Sequence, residues 1–398
     1  MKCLFYLSYH YPPDLSAGSF RNAALSEALA ERLDELGEPF ELHVFCTQPN
    51  RYLQFSDRAP KEELRGKVHV HRMEVPQHGN GFIRQVISFL AYRRQVFAAT
   101  KSMKADFVFA SSSKLFTAHL AYRLARRCGI PYYLDIRDLF ADNVGEMIRI
   151  PVINRLVRLI VRHFFEQPCL HHAAHINLNS PGFKDAIPRK YGGGVSFFPN
   201  GIDREFSDWR RDPGVPGQKL TVCYAGNIGE AQGLHRIVPA LARLFADTHR
   251  FLIIGGGSAR QKLERSLRQL SVENVELLPP VGRSELLHYY RQSDCLLLHL
   301  NDYPALGKVL PSKLFEYGAG NLPIVAGVSG CARTFALEEI RTNVCVFDPC
   351  DVEGAAACLR EMPLELQPRP WFLEKFGREQ IAKAMADSIC QVMRTGHG

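Results

Sequence analysis

The chain has 398 residues, of which 46% are hydrophobic and 23% charged, with a net charge of +8. That length suggests two or three domains at roughly 150 residues each, and the composition excludes a disordered or low-complexity chain. The positive charge favours an anionic partner without naming it; basic residues are not interleaved with aromatics, which disfavours nucleic acid.

Strand-like and helix-like segments alternate from the start. Residues 2–8 read as a strand and 19–36 as a helix with Leu25, Leu29 and Leu33 on one face. Strands follow at 41–47 and 67–73, a helix at 82–103, a strand at 106–110, a helix at 114–128 and a strand at 131–136. Such alternation predicts a parallel sheet wrapped by helices. A polar stretch rich in Pro and Gly, residues 207–219, reads as a linker. The alternation then restarts, with strands at 220–225, 250–254, 274–278, 294–299 and 323–326 and helices between them. Two α/β domains of similar size facing a cleft are expected, with ligands beyond the carboxyl ends of the strands. The expected boundaries are 1–206 and 207–370, with a helix in 371–398 packing back on the first domain.

The 11 cysteines are odd in number and lack a CxxC pair. Most sit in apolar runs, as Cys223 and Cys295 do, and read as small core residues in a reducing compartment. A bridge between Cys345 and Cys350 is not expected. The N-terminal MKCLFYLSYHYPPD lacks a small-residue cleavage site and reads as a buried strand, not a signal peptide. No run of ~20 apolar residues suggests a membrane span. His171, His172 and His175 have a spacing that can bind zinc, but no third ligand type accompanies them. No metal site is therefore expected. Neither GxSxG nor GxxxxGK[ST] occurs, which argues against a serine hydrolase and a nucleoside triphosphatase.

Four loops at expected strand ends carry the chemistry. They are Gly226-Asn227-Ile228-Gly229, then Gly255-Gly256-Gly257 with Ser258 as the expected N-cap, then Pro279-Pro280-Val281-Gly282, and last the segment KVLPSKLFEYGAGNLPIVAG at 308–327. Glycine turns between strand and helix let a backbone approach phosphate. In the last segment Pro311 reads as the first helical position, and the free N–H groups at a helix start attract an anion. Lys313 adds a cation, and Glu316 offers two acceptor oxygens to a diol. Phosphate beside ribose hydroxyls describes a nucleoside diphosphate.

The order of these motifs resembles the family-4 type of GT-B glycosyltransferases over nearly the whole chain. YHYPPDLSAGSFRN, with Gly18 at the loop, matches the family's first strand and glycine loop. FPNGID at 198–203 matches the close of the first domain, and LLPPVGRSELLHYYRQSDCLLL the approach to the donor site. EYGAGNLPIVA at 316–326 matches the strongest signature, with Glu316 at its second glutamate. The resemblance implies two Rossmann-like domains and a retaining transferase using a nucleotide sugar, with no metal and no protein nucleophile.

Three positions depart from the family pattern. Lys308 stands where the first glutamate is expected. Gly226-Asn227 and Gln232 replace a Gly-Arg and Lys that clamp the diphosphate, and Arg137 in DIRDLF replaces a histidine. These changes are similar to a branch with Arg-Asp-Leu-Trp and Pro-Ser-Lys motifs that includes aminodeoxysugar (L-fucosamine-type) transferases. The implied roles follow. Glu316 takes the ribose hydroxyls. Ser312 and Lys313 hold the diphosphate, with Asn227 and Gln232 as neutral donors. Val281 backbone reads the base, Gly18 and Ser19 lie over the phosphate, and Arg137 and Asp138 face the sugars. Arg21 reads either as a further functional cation or as a helix-start charge.

The expected reaction is transfer from a nucleotide-diphosphate sugar, UDP first among the bases, to a lipid-linked or polysaccharide acceptor of bacterial surface polysaccharide synthesis. A nucleotide-sugar 2-epimerase and a non-catalytic partner subunit are the alternatives. The segments RIPVINRLVRLIVRHFF and GFIRQVISFLAYRRQVF are apolar and basic. They suit helices packed on the sheet, or a cytoplasmic protein lying peripherally on an anionic membrane surface.

Overall fold

The computed structural model describes residues 1–14, 17–37, 39–49, 59–76, 82–112, 115–138, 151–211 and 219–395. The chain divides into two compact units, Met1–Asn200 with Arg378–Gly398, and Gly201–Gly377.

The first unit is built on an eight-stranded sheet. Its strands are β1 (Lys2–Ser8), β2 (Phe40–Thr47), β3 (Glu62–Arg65), β4 (Val68–Met73), β5 (Phe107–Ser112), β6 (Tyr132–Ile136), β7 (His175–Leu178) and β8 (Gly194–Phe197). They lie in the order β3-β4-β2-β1-β5-β6-β7-β8, parallel except for β3 against β4. The central strands β1 and β5 are buried along almost their whole length, which explains their continuous apolar runs. Helix Ala17–Glu35 lays Leu25, Leu29 and Leu33 on this sheet, and helix Arg378–Thr395 adds Met385, Ile389 and Met393 to the same core.

The second unit has β9 (Leu220–Ala225), β10 (His249–Ile254), β11 (Val275–Leu278), β12 (Cys295–His299), β13 (Ile324–Gly327) and β14 (Val344–Phe347). All are parallel, in the order β11-β10-β9-β12-β13-β14. In chain order this is 3-2-1-4-5-6, the doubly wound pattern whose direction reverses between β9 and β12. Ligands in such sheets sit at that switch point, beyond the carboxyl ends.

Several expectations need correction. The chain leaves the first unit at 200/201, not at 206/207, and residues 371–377 stay with the second unit. The stretch read as a linker is partly core: Trp209 is fully buried, Arg210 donates to the Ala319 carbonyl (2.9 Å), and Arg211 pairs with Asp294 (2.6 Å). Residues 212–218 of that stretch lie outside the described residues. The cysteine reading also changes, because Cys345 on β14 is bridged to Cys358 on helix Val352–Glu361. Cys350 instead places its thiol 3.3 Å from Asn301 Oδ1. Ser258 does not cap the following helix, whose N-cap is Ala259. Among the described residues no helix is long and apolar enough to cross a membrane.

Candidate functional site

At the switch point the loop after β9 and the loop after β10 are bonded to each other. Gly226 N–H donates to the Ile254 carbonyl (2.9 Å), and Ile228 N–H to the Gly256 carbonyl (2.8 Å). Gly255 adopts φ +146, and a Cβ there would collide with the Gly226 carbonyl oxygen. Only glycine permits this approach.

Helix Ser312–Ala319 starts beside these loops. Pro311 is its N-cap in extended conformation, so the proline sits one residue earlier than the sequence reading placed it. The first-turn N–H groups of Ser312 and Lys313 have no carbonyl partner within the helix. Lys313 Cε lies 3.5 Å from the point where a Cβ on Gly226 would stand, which joins the helix start to the first loop. Lys313 Nζ donates to Glu316 Oε2 (2.5 Å) and to Tyr290 Oη (3.3 Å). Both side chains of the ion pair are mostly covered, 20% and 16% exposed. Tyr290 and Tyr317 pack edge-on beneath it at 5.6 Å, and Tyr317 Oη accepts from Ala225 N–H (3.2 Å). Burial pushes both phenols well above their ordinary range, so both stay neutral.

The loop's neutral donors are committed to one another. Asn227 Nδ2 donates to Gln232 Oε1 (2.9 Å), which also accepts from Gly229 N–H (3.3 Å). Two residues that sequence reasoning missed hold this loop. Asn301, just past β12, donates to the Glu230 carbonyl (2.8 Å) and accepts from Arg236 (2.7 Å). His299 ends β12 fully buried; its Nε2 accepts from Cys350 N–H (2.9 Å), so its proton is on Nδ1 and is given to the Gln232 carbonyl (2.7 Å). Burial lowers this imidazole to about 4. Its position at the end of an apolar strand is the signal that was available. Lys308 closes the short 3-10 turn Pro304–Lys308 ahead of the helix. Val281 lies past edge strand β11, in the loop that touches Gly256 through Pro280.

In the first unit Arg137 and Asp138 follow β6 directly. Arg137 Nη2 donates to Asn200 Oδ1 at 3.4 Å, while its Nε and Nη1 are buried without a hydrogen-bond partner. Burial, and then the neighbouring Arg21, lower this guanidinium to about 10. Gly18 is in the first turn of its helix rather than in a loop, and a Cβ on it would strike Arg137 Nη1. Ser19 is buried next to it, and Asp138 is exposed. Arg21 is structural. Its guanidinium meets Asp135 (3.2 and 3.3 Å) and the carbonyls of Phe198 (3.0 Å) and Pro199, with Asp135 held also by Asn177 (2.7 Å).

Two other sequence candidates resolve differently. The three histidines do not converge: His175 stacks on Tyr133, and His172 meets the Pro168 carbonyl. The helical run from Pro151 to His171 leaves Val152, Leu156, Leu159, Ile160 and Phe164 exposed. Those side chains are not packed on the sheet. Arg155 and Arg162 are exposed with them, and the Arg158 side chain lies outside the described residues.

Comparison with known proteins gives two family matches. Residues 23–201 match the glycosyl transferase 4-like domain, and residues 205–367 match glycosyl transferases group 1. A curated relative, the putative colanic acid biosynthesis glycosyl transferase WcaI of Escherichia coli, is 30% identical over 214 residues, 50% of this chain and 51% of that protein. The chain thus aligns with about half the length of that relative. Among solved structures, sucrose-phosphate synthase of Thermosynechococcus elongatus superposes with a TM-score of 0.73 at 15% identity, covering 99% of this chain and 100% of that one. HepE of Anabaena in complex with UDP gives 0.60 at 14% identity, covering 98% and 100%.

Proposed function

We propose, for a chain that joins a glycosyl transferase 4-like domain to a group 1 domain on a GT-B fold, that it is a glycosyltransferase using a nucleotide-diphosphate sugar. The observation that carries this reading is the Lys313–Glu316 pair at a helix start, set against Gly226 at the switch point of the second sheet. An incoming diphosphate offers Lys313 and the first-turn N–H groups a stronger anion, and that releases Glu316 to accept the ribose hydroxyls. Asn227 and Gln232 exchange their mutual hydrogen bond for the phosphate oxygens. The Val281 backbone reads the base. UDP is the proposed nucleotide, in keeping with the UDP bound by HepE.

Cleavage of the anomeric bond puts negative charge on the leaving diphosphate, and preorganised cations and N–H groups stabilise it. No protein nucleophile or metal is required when the donor's own phosphate helps deprotonate the acceptor on the front face, so configuration is retained. Arg137, with nitrogens held unpartnered beside Gly18 and Ser19, supplies charge to the reacting sugars, and Asp138 orients them. The acceptor is a lipid-linked or polysaccharide chain, in keeping with the colanic acid relative. The donor sugar is an aminodeoxyhexose. The exposed apolar stripe with Arg155 and Arg162 suits peripheral attachment to an anionic membrane on its cytoplasmic face. An epimerase would need an acid/base pair poised at the sugar, and Glu316 in an otherwise intact loop speaks for turnover over an inert partner subunit.

The test is a thermal-shift screen of UDP-, GDP-, ADP- and CMP-sugars, since a ligand bound only by the folded state raises the melting temperature. A shift with one nucleotide class that Glu316→Ala abolishes supports the reading, and turnover with a polyprenyl-linked acceptor completes it. Indifference to every nucleotide sugar would refute it.

A further inference from the structure

At the opposite, amino-terminal end of the first sheet, one face gathers an unusual set of side chains. Cys3 on β1 pairs in register with Glu41 on β2, and Phe5 with His43. His43 pairs with His69 on β4, and His71 on β4 with Glu62 on β3. One ligand atom each from Cys3, Glu41 and His43 lie within 4.8 Å of one another. Cys3 and His43 are buried, while the Glu41 side chain is 40% exposed.

The contacts around His43 form a chain. Glu41 Oε2 is 3.4 Å from His43 Nε2, His43 Nδ1 is 2.9 Å from His71 Nε2, and His71 Nδ1 meets Glu62. Three contacts require three hydrogens, but two neutral imidazoles carry only two. Whichever tautomers are chosen, one ring nitrogen turns a lone pair toward a carboxylate or toward the other ring. A cation between Glu41 and His43 Nε2 removes the conflict. His43 then gives its Nδ1 proton to His71, and His71 gives its own to Glu62.

We infer that Cys3, Glu41 and His43 form a binding site for a zinc-type divalent metal ion, with His71 and Glu62 as the hydrogen-bonded shell that sets the His43 tautomer. Thiolate, imidazole and carboxylate are the ligands zinc takes, and the sulfur disfavours magnesium and calcium. The partly exposed Glu41 leaves room for solvent to fill a fourth position. A bound thiolate gives up its proton to solvent, so uptake of the metal is favoured by higher pH. The site is at the amino ends of β1 and β2, whereas Arg137 and Asp138 follow the carboxyl end of β6. Its role is therefore to tie strands together, independent of the donor reading.

The experiment titrates the full-length protein with Zn²⁺ against a chromophoric chelator, and with Co²⁺ for a thiolate charge-transfer band. One equivalent is expected. Cys3→Ser, Glu41→Gln and His43→Gln each weaken Zn²⁺ binding at least tenfold, and Cys3→Ser abolishes the cobalt band. His71→Gln weakens binding about 10- to 100-fold, as loss of a second-shell partner does. Cys128→Ser binds like the parent. Glu41 is at the rim, so its variant keeps the metal-free circular dichroism spectrum and tests the site even if Cys3→Ser fails to fold. No stoichiometric Zn²⁺ uptake, or uptake unchanged by Glu41→Gln and His43→Gln, overturns the proposal.

Discussion

The carboxyl ends of the two sheets hold their charge in opposite ways. In the second unit the Lys313 ammonium is closed on Glu316, and Asn227 is closed on Gln232. These four side chains have partners to give up. In the first unit the Arg137 guanidinium keeps two buried nitrogens without hydrogen bonds, although Arg21 nearby is committed to Asp135 and the carbonyls of Phe198 and Pro199. Buried donors left without hydrogen bonds are costly, and perturbed charges gather at functional sites. On the proposed reading, the second unit would exchange partners on binding, whereas the first would hold charge for an anion that arrives during the reaction.

The largest expected effect tests that contrast directly. Arg137→Ala should lower kcat about 10²–10³-fold, the usual loss for one preorganised donor, with donor affinity little changed. Loss confined to KM would break the comparison. Next, Glu316→Ala should weaken nucleotide-sugar binding about 10- to 100-fold, corresponding to roughly 1.5–3 kcal/mol for hydrogen bonds to a charged group. Calorimetry checks this, and unaltered affinity would place the exchange elsewhere. Third, Gly255→Ala should destabilise the second unit by about 1–3 kcal/mol, seen as a melting temperature lower by several degrees, while the first unit is unaffected. The smallest effect concerns pH. His299 is held at about 4 in the fold against an ordinary 6.5, so the unfolded chain takes up the proton first. Its contribution is complete above pH 6.5 and is lost as pH falls from there toward 4. His299→Gln should flatten that part of the melting-temperature profile.

The alternation of strands and helices could be read from the sequence because buried parallel strands leave continuous apolar runs, as in β1 and β5. The four glycine-bearing loops were readable for a related reason: positive or crowded backbone positions admit few residue types. The unit boundary was not readable. Residues 207–211 have linker composition, and only tertiary packing shows Trp209 buried against Tyr290. The Cys345–Cys358 bridge was missed because the strand-to-helix return that brings the two together is a property of the fold. His43, His69 and His71 look unremarkable in sequence, since sheet register, not spacing, stacks them. Arg21 was legible only as a helix-start charge or a functional cation, and its partners, Asp135 and the carbonyls of Phe198 and Pro199, show it bound within the fold.

The first unit is sealed by a helix, Arg378–Thr395, that comes after the whole of the second unit in the chain. Until that helix is made, Leu25, Leu29 and Leu33 lack part of their covering, so the first unit is completed by a segment that follows the whole of the second. A nonsense mutation shortly after residue 377 would spare the later-made lobe and deny the earlier one its lid.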